Sequence, residues 1–129
     1  MPLMKIETAS APAAIGPYSQ GVRAGDLIFF SGQIPLDPET GVVVSGGIEI
    51  QIGQVMENMA AALTAAGLSF AEVAKTTIYL TDLNDFAVVN EIYGSYFAGV
   101  YPARATVQVA ALPKGVSVEI EWVAYCGQG

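Results

Sequence analysis

Two stretches of the chain repeat their apolar residues at helical spacing. Ile52, Val55, Met56, Met59, Leu63 and Ala66 form one stripe, and Gly67 stands where a helix-ending glycine belongs. Phe86, Val89, Tyr93 and Phe97 form the second, with Asp82 or Asn84 placed to cap it. Elsewhere the period shortens to two. Met4 to Thr8 reads as a short first strand. Gly21 to Arg23 and Leu27 to Ser31 flank Ala24-Gly25-Asp26 as a hairpin. Asp37 to Gly41 is a second turn, followed by the β-branched run Val42 to Val44. Val73 to Leu80 reads as a buried strand, and Arg104 to Val109 and Val116 to Tyr125 as the last two.

Strands, helix, strand, helix, strands in that order predict an α+β sandwich: a mixed sheet with both helices on one face. The last two strands are expected to pair as a hairpin centred on Leu112-Pro113. Residues two apart in a strand share a face. Arg104, Thr106 and Gln108 then point one way, and Ser117, Glu119 and Glu121 share a face in the last strand. A symmetric hairpin sets Arg104 opposite Glu121 and Thr106 opposite Glu119; a slip by two residues sets Arg104 opposite Glu119. In either register the polar faces are expected to coincide.

Composition adds an expectation about the sheet's other face. Of the 129 residues, 53% are hydrophobic and 13% charged, against about 25% charged in ordinary domains. So little charge points to a large interface between subunits. The length suits one domain, residues 1–129. The net charge of −7, with no basic cluster, argues against nucleic acid and anionic membranes as partners. No run is long and apolar enough to span a bilayer, and Met1 to Ser10 does not read as a signal peptide. The single cysteine, Cys126, allows no intrachain disulfide, so the cytoplasm is the expected location. The absence of histidine removes His-based triads and most zinc and iron sites.

One cation then carries the functional question. Arg104 is the only one between Lys75 and Lys114, and it sits in apolar sequence after Pro102. A guanidinium in such surroundings needs an anion. The structural alternative is a cross-strand ion pair with Glu119 or Glu121; the functional one is a ligand carboxylate or phosphate. Asn90 reads as a structural hydrogen bonder, Cys126 as an inert thiol, and Ser31 has no base to activate it.

The same residues carry a family resemblance. Pro102-Ala103-Arg104-Ala105, with Val107, Ala110, Leu112 and Val118-Glu119-Ile120, resembles the C-terminal signature of the RidA (YjgF-type) family. Ile15-Gly16-Pro17-Tyr18-Ser19-Gln20, Ser31-Gly32-Gln33-Ile34-Pro35, and Asp82 to Phe86 with Val89-Asn90 match in the family's order. The resemblance implies a chorismate-mutase-like fold and a homotrimeric, barrel-like assembly with clefts between subunits. It also implies hydrolysis of 2-imino or enamine acids such as 2-aminoacrylate to 2-keto acids and ammonia, without a cofactor or metal. Carried over, Arg104 binds the substrate carboxylate, Glu119 handles the hydrolytic water, and Tyr18, Ser31, Gly32 and Thr106 line the cleft. Thr106 departs from the pattern, since many members have cysteine there.

The chemistry suits these residue types. A protonated imine is already electrophilic, so its hydrolysis needs a held carboxylate, a positioned water and a proton path, and no covalent nucleophile. A second reading is a non-catalytic module that binds 2-keto acids as a sensor. A third, ribonuclease or chaperone-like activity, sits poorly with the acidic composition and the missing histidine.

Overall fold

The computed structural model describes residues 2–127. Six strands form one sheet: β1 (Met4–Ile6), β2 (Gly21–Ala24), β3 (Leu27–Gln33), β4 (Val73–Leu80), β5 (Ala103–Gln108) and β6 (Val118–Tyr125). Two helices, α1 (Ile48–Ala65) and α2 (Phe86–Gly94), pack on one face. The strand order is β1-β2-β3-β6-β4-β5. The β4–β5 pair is parallel and all the others are antiparallel, so the sheet is mixed, as expected.

The helical stripe of α1 becomes the core. Ile52, Val55, Met56, Met59 and Leu63 are fully buried against Ile28, Ile78, Leu80, Val118 and Ile120. Phe30 stacks on Trp122 with ring centroids 4.6 Å apart. The end of α1 follows from Gly67, whose φ of +75° is one that a glycine adopts without strain. Its N–H donates to the Thr64 carbonyl and that of Leu68 to the Leu63 carbonyl, closing the last turn. Ahead of α2, Asp82 is the capping residue, accepting from the Asn84 N–H at 2.9 Å. Val42 to Val44 forms no strand and contributes one bridge, Leu36 with Val43.

The expected hairpin of the last two strands does not exist. β6 runs between β3 and β4, while β5 lies at the sheet edge, parallel to β4. Burial accounts for the difference. Val118, Ile120, Trp122 and Ala124 of β6 are all buried, which suits a central strand. Five of the six β5 residues are exposed, with a proline just ahead and an arginine inside, as edge strands often have. The β4–α2–β5 connection is the helical crossover that a parallel pair requires.

This topology also separates the two polar faces. Within each strand the alternation is as expected, but Arg104 pairs with Thr76, which is buried under α2, so Arg104 lies on the helix face. Glu119 and Glu121 alternate with the buried Val118, Ile120 and Trp122 and therefore lie on the open face. Their cross-strand neighbours are Tyr79 and Thr77. Neither glutamate faces Arg104. The open face also presents apolar surface: Phe29, Val107 and Tyr125 are 50%, 42% and 46% exposed.

Candidate active site

Arg104 stands at the edge strand, directed toward α2. One guanidinium nitrogen donates to Asn90 Oδ1 at 2.7 Å. The guanidinium carbon lies 5.4 Å from the centroid of the Phe86 ring and 5.3 Å from that of Tyr93, within cation–π range. Phe86, Asn90 and Tyr93 succeed one another at helical spacing, so α2 presents all three to β5 together. Tyr93 is fixed by a 2.7 Å hydrogen bond with Thr76. Burial raises its pKa, an effect that Thr76 and the Arg104 charge partly offset. A cleft of about 510 Å³ opens here, lined by Asn90, Tyr93, Gly94, Tyr101, Pro102 and Arg104.

Among the described residues the one ion pair is Lys5 with Glu7, at 3.5 Å. Arg104 therefore has no carboxylate partner, and the cross-strand ion pair read as its structural role is absent. Its charge is oriented by an amide and two ring faces and is not neutralised by a carboxylate among the described residues. Thr106 lies two residues along on the same face, its hydroxyl buried and without a partner among the described residues. Asn90, taken from sequence as structural, holds the Arg104 guanidinium directly.

Glu119, Tyr18, Ser31 and Gly32 come together elsewhere, around a cavity of about 740 Å³. Gly32 is a close-approach glycine: an added Cβ would overlap Glu119 Oε2 and stand 2.9 Å from its Cδ. The carboxyl thus rests on bare backbone. Burial, followed by the Glu121 charge, pushes the Glu119 pKa above the ordinary carboxylate value. Such a carboxyl is suited to taking and returning a proton. Ser31 Oγ donates to the Ser19 carbonyl at 2.6 Å, and the Ser31 N–H to the Gln20 carbonyl. Ser31 is therefore a wall-fastening residue; its hydroxyl is already committed. Tyr18 is 53% exposed on the rim.

Two buried amides that sequence reasoning passed over hold the cavity walls. Gln20 accepts from the Thr8 N–H at 2.7 Å and donates to the Pro12 carbonyl at 2.7 Å, tying the N-terminal loop to the sheet. Asn58 of α1 donates to the carbonyls of Ile34 and Leu36 at 3.3 and 3.0 Å. Asn58 stands between Met56 and Met59 of the apolar stripe and Gln20 within the Ile15 to Gln20 motif, but neither position names its partners. A buried amide must find partners, and here the partners are loop backbone.

The molecule is thus an α+β protein of the one-sheet, two-helix class, with the Arg104 guanidinium and the Glu119 carboxyl on opposite faces of its sheet. The chain belongs to the RidA/YjgF family, the family described as Endoribonuclease L-PSP, whose model matches residues 8–126. It is 55% identical to the human 2-iminobutanoate/2-iminopropanoate deaminase over 122 residues, 95% of this chain and 89% of that one. Among solved structures, a Rid-family protein of unknown function from Yersinia pestis superposes with a TM-score of 0.94 at 48% identity, covering 96% of this chain and 99% of that one. E. coli TdcF with bound serine superposes with a TM-score of 0.91 at 47% identity, with the same coverage.

Proposed function

We propose that the chain is a 2-imino acid deaminase, hydrolysing 2-imino acids and their enamine tautomers such as 2-aminoacrylate to 2-keto acids and ammonia. The carrying observation is Arg104, an oriented guanidinium with no carboxylate partner among the described residues. A small 2-imino acid offers the carboxylate that such a group binds through paired hydrogen bonds. The human relative named as a deaminase supports this reading, and so does the amino acid bound to TdcF.

With the substrate carboxylate on Arg104, water adds to the C=N carbon. The C–O bond forms as the π pair moves to nitrogen, and the water proton passes to Glu119. Glu119 returns that proton to the nitrogen, the C–N bond breaks as the keto group forms, and the hydroxyl proton passes through Glu119 to the departing ammonia. Iminium and water leave as keto acid and ammonium. No step needs a cofactor.

Arg104 and Glu119 of one chain lie on opposite sheet faces, so this chemistry requires the Arg104 half of one copy and the Glu119 half of another. A homotrimer with clefts between its subunits meets that requirement. The exposed apolar residues of the open face and of β5 give the copies a surface to share. Tyr18, Ser31 and Gly32 then wall the cleft from the Glu119 side, and Thr106 from the Arg104 side. With one unpaired cysteine, we assign the activity to the reducing cytoplasm.

The test generates 2-aminoacrylate with a serine dehydratase and follows pyruvate. The wild type should accelerate its release. Arg104→Ala should lose about 100-fold to 10,000-fold in kcat/KM, the worth of two charge-assisted hydrogen bonds. No acceleration by the wild type, or full activity in Arg104→Ala, contradicts the assignment. Ribonuclease activity, which the family description names, fits less well: no basic surface cluster would hold the phosphates, and no histidine is present to cleave them.

A further inference from the structure

Glu119 has a second carboxylate beside it that the reaction above does not use. Glu121 is two residues along β6 on the same open face, about 7 Å away by strand rise. The two side chains diverge. Glu119 turns onto Gly32 and the cavity, while Glu121 accepts a short, 2.5 Å hydrogen bond from the Tyr79 hydroxyl. Tyr79 is the cross-strand neighbour of Glu119, so its phenol crosses the face diagonally to reach Glu121. Tyr79 has no part in either cavity lining.

We propose that Tyr79 and Glu121 form a positioning pair for Glu119. The phenol pins Glu121 in place as the fixed anion and leaves Glu119 as the carboxyl that takes and gives the proton. This rests on the deaminase reading and adds to it the residues that divide the work between two adjacent carboxyls. Neighbouring carboxylates in unlike surroundings separate into one that stays ionised and one that exchanges protons. Here the surroundings differ in kind: a phenol donor for one, a bare glycine and a half-buried cavity for the other.

The charges around agree. Tyr79's own pKa is pushed up to about 12, first by its hydrogen bond to Glu121, so it remains a donor across the physiological range. The Glu121 charge acts on Glu119 in the direction that retains its proton. The other titratable or charged groups facing Glu119 are Tyr18, Glu39 and Lys114 across the cavity. From the neighbouring strands, β3 presents Ser31 and Gly32, and Lys75 of β4 lies farther off beside Val123. A tie that merely joined β4 to β6 would change thermal stability and leave the Glu119 proton where it was.

The test titrates the Glu119 carboxyl by 13C NMR in the whole protein labelled at glutamate Cδ, with Glu119→Gln assigning the signal. Glu121→Gln keeps an acceptor for Tyr79 and removes the charge. It should lower the proton affinity of Glu119 by at least about threefold, the smallest effect expected of a unit charge at that distance. Tyr79→Phe keeps the ring and frees Glu121, and should move the midpoint the same way by less. The pH profile of kcat/KM should carry its Glu119 limb to lower pH by the same factor. An unmoved midpoint in either variant, or a moved midpoint with an unmoved limb, overturns the proposal. Moved midpoints in a protein without imine turnover leave the pair standing and retire the deaminase reading.

Discussion

The Arg104 cleft and the Glu119 cavity are built by opposite means. Around Arg104 the walls are side chains: two aromatic faces and one amide from α2, projecting at helical spacing onto an exposed edge strand. Around Glu119 the walls are backbone: a glycine in contact with the carboxyl, and loops fastened from behind by Gln20 and Asn58. The first orients a charge without neutralising it. The second raises the proton affinity of its carboxyl by excluding water and placing another carboxylate nearby. The sheet separates the two within one chain.

The two halves should consequently fail differently when altered. Gly32→Ala strikes the backbone-built half, because the added methyl occupies the space of the Glu119 carboxyl. We expect kcat to fall about 100-fold or more, in the range that a displaced acid–base group costs, with KM for the imino acid little changed. Steady-state kinetics at saturating substrate checks this.

Asn90→Ala strikes the side-chain-built half more gently. Arg104 keeps its charge and both rings but loses its 2.7 Å acceptor. A hydrogen bond to a charged group is worth about 1.5–3 kcal/mol. KM, or the Kd for a 2-keto acid, should rise about tenfold with kcat less affected, and calorimetric titration with pyruvate separates the two.

The smallest effect is on stability. The folded protein holds the Glu119 proton more tightly than the unfolded chain, whose reference value is 4.5. That contribution is therefore complete below about pH 4.5 and is lost as pH rises through the folded-state pKa. Glu119→Gln removes the titration. Its Tm relative to the wild type should rise from acid toward neutral pH, and a difference independent of pH would contradict the sign of the shift.

How far the sequence revealed this depends on the range of the signal. Alternation along β6 correctly put Val118, Ile120 and Trp122 on one face and Glu119 and Glu121 on the other, since parity is a property of a single strand. It could not say which strand β6 pairs with. Leu112-Pro113 suggested a hairpin, but the intervening segment is long enough to carry β6 across to the middle of the sheet. The exposed alanines of β5 and the large apolars of β6 were the clue to edge against centre. Because pairing was misread, Arg104 and the glutamates were placed on one face when the sheet divides them.

Asn90 was legible in principle. It falls at helical spacing between Phe86 and Tyr93 of the predicted apolar stripe. Gln20 and Asn58 were harder, because their partners are backbone carbonyls and amides distant in sequence, and no local pattern encodes them. Gly32 lay within a motif, but its reason, the carboxyl of Glu119 resting on it, is a tertiary contact.

The separation of Arg104 from Glu119 leads to one decisive measurement. Arg104→Ala and Glu119→Gln, each expected to lose nearly all activity by itself, are co-expressed with different tags, and mixed assemblies are purified and their composition verified by mass spectrometry. If every cleft joins the Arg104 half of one copy to the Glu119 half of another, each purified mixed trimer holds one competent cleft in three, and imine turnover recovers to about a third of the wild-type value. Verified mixed assemblies with no activity above either parent would contradict a site shared between copies.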